Sequence, residues 1–335
     1  MQPFEYARAK TPDDAVKALA AGKRSKLVAG GTNLLDLMKE HVETPNRLID
    51  INELALSSIE QTATGVRIGA LARMSDTAAH ALIRTKFPAL SEALLLSASP
   101  QLRNMASIGG NLMQRTRCPY FRDVTFPACN KRNPGSGCAA IAGENRMHAI
   151  LGTSEACIAT HPSDFAVALA ALDGVVQVSG PKGPRDIPAA DFHLLPGSTP
   201  HREHALAPDE LITAILVPSA PHAERSHYLK VRDRASYEFA LTSAAVGLDL
   251  DGSTIRSARV ALGGVGTKPW RSREAEAVLT GKSLSDALFA EAAEAALREA
   301  KPQRQNGFKI ELARRTIVRA LQAVSGSQSM SGGRA

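Results

Sequence analysis

Residues 26–39 read KLVAGGTNLLDLMK. The run SKLV reads as a short strand that delivers the chain into two glycines. TNLLDLMKEH then leaves with helical spacing, and RLIDINEL follows as another strand. Strand, glycine turn, helix, strand is a βαβ pattern. Backbone N–H groups in such a turn, with a helix N-terminus behind them, make a site for a phosphate. Glycine lets the backbone approach the anion with no Cβ in the way. Thr32 and Asn33 add side-chain donors. Taken alone, a Gly-Gly strand-to-helix turn is structural more often than functional.

The same alternation continues on either side. TPDDAVKALAAG predicts a helix with Thr11 as N-cap, Pro12 in the first position and two acids in the first turn. VRIGAL predicts a strand with Val66, Ile68 and Ala70 on one face. SDTAAHALIRTKFPALSEALLLSA reads as two helices broken near Pro88, and RNMASIGGNLMQR as a second glycine turn. ACIATHPSDFAVALAALDGVVQVSG reads as strand, turn, helix, strand, with Pro162 opening the helix. ELITAILVPSAP looks like the last strand of this unit. Beyond residue 224 two or three antiparallel strands with a DGS turn are expected, then helices over 270–325. The final SGSQSMSGGRA reads as disordered from residue 327 on.

At 335 residues the chain has room for two domains. Apolar residues make up 44% and mean hydropathy is −0.12, the profile of an ordinary soluble protein. No apolar run approaches the roughly 18 residues of a membrane span, and MQPFEYARAKTPDD has no apolar signal-peptide core. The expected location is the cytoplasm, or the periplasm if a partner carries the export signal. A net charge of +7 invites a nucleic-acid reading, but the basic residues are spread and aromatics are only 4%, so an acidic partner or cofactor fits better.

Three stretches together, AGGTNLLDLMK, QLRNMASIGGN and THPSDFAVALAAL, resemble the FAD-binding signatures of the flavoprotein (medium) subunit of the xanthine dehydrogenase and aldehyde oxidoreductase family. YLKVRDRASYEFALTSAAVGL resembles the family's fourth stretch, and GGVGTKPWRSREAE the start of its C-terminal domain. The resemblance covers nearly the whole chain in order. It implies an α+β fold: a vanillyl-alcohol-oxidase-type FAD domain over 1–222, in subdomains of about 1–55 and 56–222, then a C-terminal domain over 223–326 with a small antiparallel sheet and helices. Val28, Ala29, Gly30, Gly31, Thr32, Asn33 and Leu34 would wrap the FAD pyrophosphate. Ser107, Ile108, Gly109, Gly110 and Asn111 would form a second phosphate and ribose wall. Asp164 would bind the cofactor through its side chain, and Lys230 would sit near the flavin. On local pattern alone Asp164 is a first-turn helix acid and Lys230 a solvated lysine. Many relatives place an acid just before the strand of the fourth stretch; here Ser236, Tyr237 and Glu238 stand there.

All four cysteines fall between residues 118 and 157, in a basic stretch rich in Pro and Gly that includes RTRCPYFRDVTFPACNKRNPGSGC. Ten residues separate Cys118 from Cys129, eight separate Cys129 from Cys138, and eighteen precede Cys157. Disulfides are disfavoured without a signal peptide. Zinc and a 4Fe–4S cluster stand level on spacing. The resemblance separates them: a subgroup, the YagS type of bacterial aldehyde oxidoreductase and less closely the 4-hydroxybenzoyl-CoA reductases, has this insertion, and it implies that Cys118, Cys129, Cys138 and Cys157 ligate a 4Fe–4S cluster in loop 115–160. Arg115, Arg117, Lys131 and Arg132 would offset cluster charge or dock an acidic, ferredoxin-like electron acceptor. The implied function is an electron-transfer subunit beside a molybdopterin-binding large subunit and a 2Fe–2S small subunit. No acid/base pair or nucleophilic triad is evident. The rivals are a stand-alone flavin oxidoreductase and a zinc-stabilised interaction protein.

Overall fold

The structure, a computed structural model, describes residues 1–22 and 24–326. The expected tail therefore lies outside the described residues. The fold is α+β and holds three sheets. Strands β1 (Glu5–Arg8), β2 (Ser25–Val28) and β3 (Arg47–Asp50) pair in the order β1-β3-β2, both pairings parallel. The opening stretch is thus a true βαβ unit, with the helix Leu34–Lys39 between β2 and β3. The helix Pro12–Ala21 starts as expected: Thr11 Oγ1 accepts from the Asp14 N–H and the Asp14 carboxylate accepts from the Thr11 N–H, both at 3.1 Å. Such a cap stabilises by about 1 kcal/mol.

The second sheet joins β4 (Ile59–Thr62), β5 (Gly65–Gly69), β6 (Val175–Gly180), β7 (Gly183–Pro188) and β8 (Leu211–Pro218) in the order β4-β5-β8-β6-β7, antiparallel throughout. Val66, Ile68 and Ala70 are buried, as their alternation predicts. The third sheet, β9 (Ser226–Val231), β10 (Thr242–Asp251), β11 (Thr254–Gly263) and β12 (Trp270–Arg271), is an antiparallel meander covered by helices Arg273–Leu279, Asp286–Leu297 and Phe308–Ser325.

The eight-residue helix Asp164–Ala171 is buried along its whole length. It packs against the helix Pro88–Leu95 and against β10 and β11. A helix apolar on every side belongs inside, and its alanines let the neighbours close in. This helix holds Asp164 at the junction of the second and third sheets.

Four local expectations need correction. The segment 74–95 forms three helices, not two, because His80 adopts an extended conformation and ends the first at Ala79. The second glycine stretch is two short helices, Pro100–Met105 and Ile108–Leu112, with Gly109 and Gly110 inside the latter. ACIAT forms no strand, only a bridge between Ser154 and Cys157. Pro162 precedes its helix, which starts at Asp164 with Ser163 as N-cap.

Candidate functional site

A cleft of about 1180 Å³ runs along the first glycine turn. That exceeds the roughly 300–1,000 Å³ of ordinary small-ligand pockets. Every residue from Val28 to Leu34 lines it, and Ser107, Gly109, Gly110, Asn111, Asp164 and Lys230 face it from other elements. Ile108 does not: its side chain is in the apolar core. One turn of helix sends Ile108 inward and its neighbours toward the cleft.

The two glycines of the first turn serve different ends. Gly31 has φ +71°, the left-handed region that a side chain disfavours. Gly30 lies against the second stretch, and a Cβ there would drive into the Met105 carbonyl. A polar chain ties the same two segments. Arg73 Nη1 donates to Met105 O at 2.5 Å and Nη2 to Asn52 Oδ1 at 3.1 Å, while Asn52 Nδ2 donates to Ala29 O at 3.0 Å. Neither Arg73 nor Asn52 stands out in the sequence. Asn33 Oδ1 accepts from the Arg115 N–H at 3.0 Å, and its Nδ2 is buried without a protein partner. A donor left open at the edge of a phosphate-type turn suits an anionic ligand such as a dinucleotide.

Asp164 is more engaged than a free ligand-binding carboxylate. Oδ2 accepts from Lys230 Nζ at 2.8 Å and Ser97 Oγ at 3.0 Å; Oδ1 accepts from the Tyr228 hydroxyl at 2.6 Å. Tyr228 and Lys230 are two apart on β9, so both side chains fall on one face. The YLK alternation carries that signal for Tyr228. Burial, then the Asp164 charge, pushes the Tyr228 hydroxyl well above its ordinary range. Lys230 is likewise no solvated lysine: its side chain is buried and also donates to Leu96 O at 3.1 Å. At the mouth of the cleft stand Arg234, Tyr237, Glu238 and Phe239, with Tyr237 at φ +52° and more than half exposed.

The cysteine loop is fastened to the cleft wall. Arg115 bridges Glu43 and Glu203 at 2.5 Å each. Burial alone would lower its pKa, but the two carboxylates outweigh it and the guanidinium is raised. Arg117 and Arg122 both pair with Asp36, on the helix that leaves the glycine turn.

Within the loop, Cys129 and Cys138 face each other across an isolated antiparallel bridge. Cys118 and Cys157 approach from the two ends, near enough that Cys118 feels Cys157 and Cys129, and Cys157 feels Cys138 and Cys129. Burial pushes the Cys118 thiol up to about 12, opposed by the N–H groups of Phe121 and Tyr120. Burial also raises Cys157, opposed by Lys131 and the Ala159 N–H, which lies 3.5 Å from its sulfur. All four thiols are free. Among the described residues no three His, Cys, Asp or Glu are arranged to hold a single metal ion. Four free thiols gathered in one loop form a donor set of the kind that either zinc or a 4Fe–4S cluster takes.

Lys131 and Arg132 are more engaged within the chain than surface charges would be. Lys131 Nζ donates to Pro200 O at 3.0 Å and its side chain is only 12% exposed. Arg132 donates to the carbonyls of Tyr120, Phe121 and Phe126. Lys131 thus fastens the loop to the segment at Pro200, and Arg132 ties the loop to itself.

A smaller cavity of about 200 Å³ lies between the two sites. Cys118, His148 and His161 border it, and it shares Arg117, Pro162, Asp164, Glu238 and Phe239 with the cleft. Burial lowers His148 to about 4 and His161 well below its usual value. No helix among the described residues is long and apolar enough to cross a membrane.

A family model for the FAD binding domain in molybdopterin dehydrogenase matches residues 2–220, and one for the CO dehydrogenase flavoprotein C-terminal domain matches residues 227–324. The aldehyde oxidoreductase FAD-binding subunit PaoB of Escherichia coli is 52% identical over 325 residues, covering 96% of this chain and 98% of that protein. The glyceraldehyde dehydrogenase medium chain of Sulfolobus acidocaldarius is 30% identical, covering 85% of this chain and 84% of that one. Among solved structures, a carbon monoxide dehydrogenase of Hydrogenophaga pseudoflava superposes with a TM-score of 0.76 at 26% identity, covering 98% of this chain and 99% of that chain.

Proposed function

This chain belongs to the family of FAD-binding medium subunits of molybdenum hydroxylase complexes, and from that premise we propose that it holds FAD in the large cleft and a 4Fe–4S cluster on Cys118, Cys129, Cys138 and Cys157. It is an oxidoreductase subunit. In our reading a molybdopterin-binding large subunit oxidises an aldehyde, a 2Fe–2S small subunit relays the electrons, and this chain passes them to an outside acceptor. The two family matches suggest dividing the chain near residue 222.

When bound, FAD supplies a carrier that exchanges electrons singly or in pairs, and the cluster supplies a one-electron carrier. The protein's part is placement and charge. The turn 28–34 offers its N–H groups to the pyrophosphate, with Ser107, Gly109, Gly110 and Asn111 opposite. Lys230 puts a positive charge beside the flavin, and Asp164 holds that ammonium in place rather than gripping the cofactor itself. Tyr120, Phe121 and Ala159 turn N–H groups toward thiolate sulfur, and Lys131 offsets its charge.

The observation that carries the reading is the shared wall: Arg117, Pro162 and Asp164 border both the cleft and the chamber that reaches Cys118. A cluster and a flavin held on either side would have that wall in common. Flavin and iron analysis of the purified complex tests it. One FAD and about four irons per chain, beyond those of the small subunit, are expected. Flavin without the additional iron would remove the cluster from the proposal, and a flavin-free protein would remove the whole of it.

A further inference from the structure

We infer that His148 donates a hydrogen bond from its Nε2–H to the sulfur of Cys118 and so raises the reduction potential of the cluster; this rests on the reading that the four cysteines hold one. His148 Nε2 stands 3.2 Å from Cys118 Sγ. The ring is buried, and its Nδ1 has no hydrogen-bond partner. A hydrogen placed on Nδ1 would point at nothing, so the sulfur is the partner that assigns the tautomer.

The ring is also aimed from a distance. Asn306 Nδ2 donates to His148 O at 3.1 Å, and Lys309 Nζ donates to the same carbonyl at 3.1 Å and to Met147 O at 3.0 Å. Both belong to the C-terminal part of the chain, so the third sheet and its helices fix a residue beside a ligand in the cysteine loop. Of the four cysteines, only Cys118 borders the chamber leading to the cleft. The tuned ligand would thus be the one on the side of the cleft.

Reduction adds one electron to the cluster, and part of that charge settles on the ligating sulfurs. A fixed N–H donor stabilises the reduced state more than the oxidised one, so the potential rises.

The test uses the assembled complex. His148→Phe keeps an aromatic ring and removes the donor; His148→Gln restores an N–H. A redox titration followed by EPR should show the cluster potential shifted downward in His148→Phe and partly recovered in His148→Gln, with iron content unchanged. Where the variant loses iron, the unmodified complex decides: pulsed EPR of the reduced cluster, with 15N-histidine incorporated, should show coupling to one non-ligating histidine nitrogen. A cluster with no such coupling, or an unshifted potential in iron-replete His148→Phe, overturns this inference alone. Wild-type complex lacking the additional iron overturns the cluster reading and this inference with it.

Discussion

Lys230 Nζ stands 2.8 Å from Asp164 Oδ2, a buried ion pair between residues 66 positions apart. One partner is at the start of a helix buried in the core, the other on the edge strand β9. The pair therefore joins the second sheet's layer to the third sheet at the floor of the cleft.

Removing one member leaves the other charged and buried, a loss of about 3–5 kcal/mol. Asp164→Ala strands the Lys230 ammonium with only the Leu96 carbonyl. Its denaturation midpoint should fall sharply and flavin should be lost. Asp164→Asn combined with Lys230→Met should recover much of the stability, since no lone charge remains, but not the flavin. Denaturant unfolding and flavin content read both effects. Equal stability of Asp164→Ala and wild type would show that the pair contributes nothing.

Gly30 and Gly31 should fail differently. Gly31→Ala carries a left-handed φ of +71° and should cost about 1–2 kcal/mol, seen equally with and without flavin. Gly30→Ala forces the first turn away from Met105 and opens the cleft wall. It should lower flavin occupancy well beyond its effect on the flavin-free protein. Thermal melts of both forms separate the two, and identical behaviour of the variants would refute the assignment.

In the cysteine loop, each single Cys→Ser change should remove about four irons. Arg132→Ala should lose iron as well, although Arg132 is no ligand, because four carbonyls lose their donor. The salt dependence of electron transfer to a protein acceptor should not change in any Arg132→Ala protein that keeps its cluster. A changed salt response with full iron would instead assign Arg132 a docking role.

Acid should weaken the fold between pH 6.5 and about 4. His193 is buried against His161 and Phe192, and its Nε2 lies 2.9 Å from the Leu112 carbonyl. Burial depresses its pKa from 6.5 to about 4, with the Leu112 carbonyl and Glu203 opposing and His204 and Lys268 reinforcing. A depressed folded-state value contributes stability that is present above 6.5 and lost as pH falls through about 4, because the unfolded chain takes up the proton first. The denaturation midpoint should drop across that window, and His193→Gln should make the slope shallower. An unaltered slope in that variant would exclude His193 as the source.

The local elements were legible in the sequence because their causes are neighbours. Thr11, Pro12 and Asp14 start a helix through contacts within three residues. The alternation of Val66, Ile68 and Ala70 marks a buried strand face, and the run VAGGTN marks a strand-to-helix turn. Resemblance along the whole chain added the cleft residues from Val28 to Leu34, Asp164 and Lys230, all of which line one cavity. Local pattern misled where two signals competed: Gly109 and Gly110 look like a turn, yet Ser107 caps a helix through them.

What depended on the folded chain is every feature whose partner is tens of residues away. Sequence offers Lys131 and Arg132 as surface charge; only the packed loop shows Pro200 and the carbonyls of Tyr120, Phe121 and Phe126 around them. Local pattern offers Asp164 as a helix-start acid and the resemblance as a cofactor ligand; only the meeting of β9 with the buried helix reveals Tyr228 and Lys230 on its carboxylate. His148 beside Cys118 has no spacing that announces it. A cap or a strand face is set by steric and hydrogen-bonding rules acting over a few residues. The direction of a long charged side chain, and the choice of partner for a buried carboxylate or imidazole, are set by desolvation, which exists only once distant segments have excluded water.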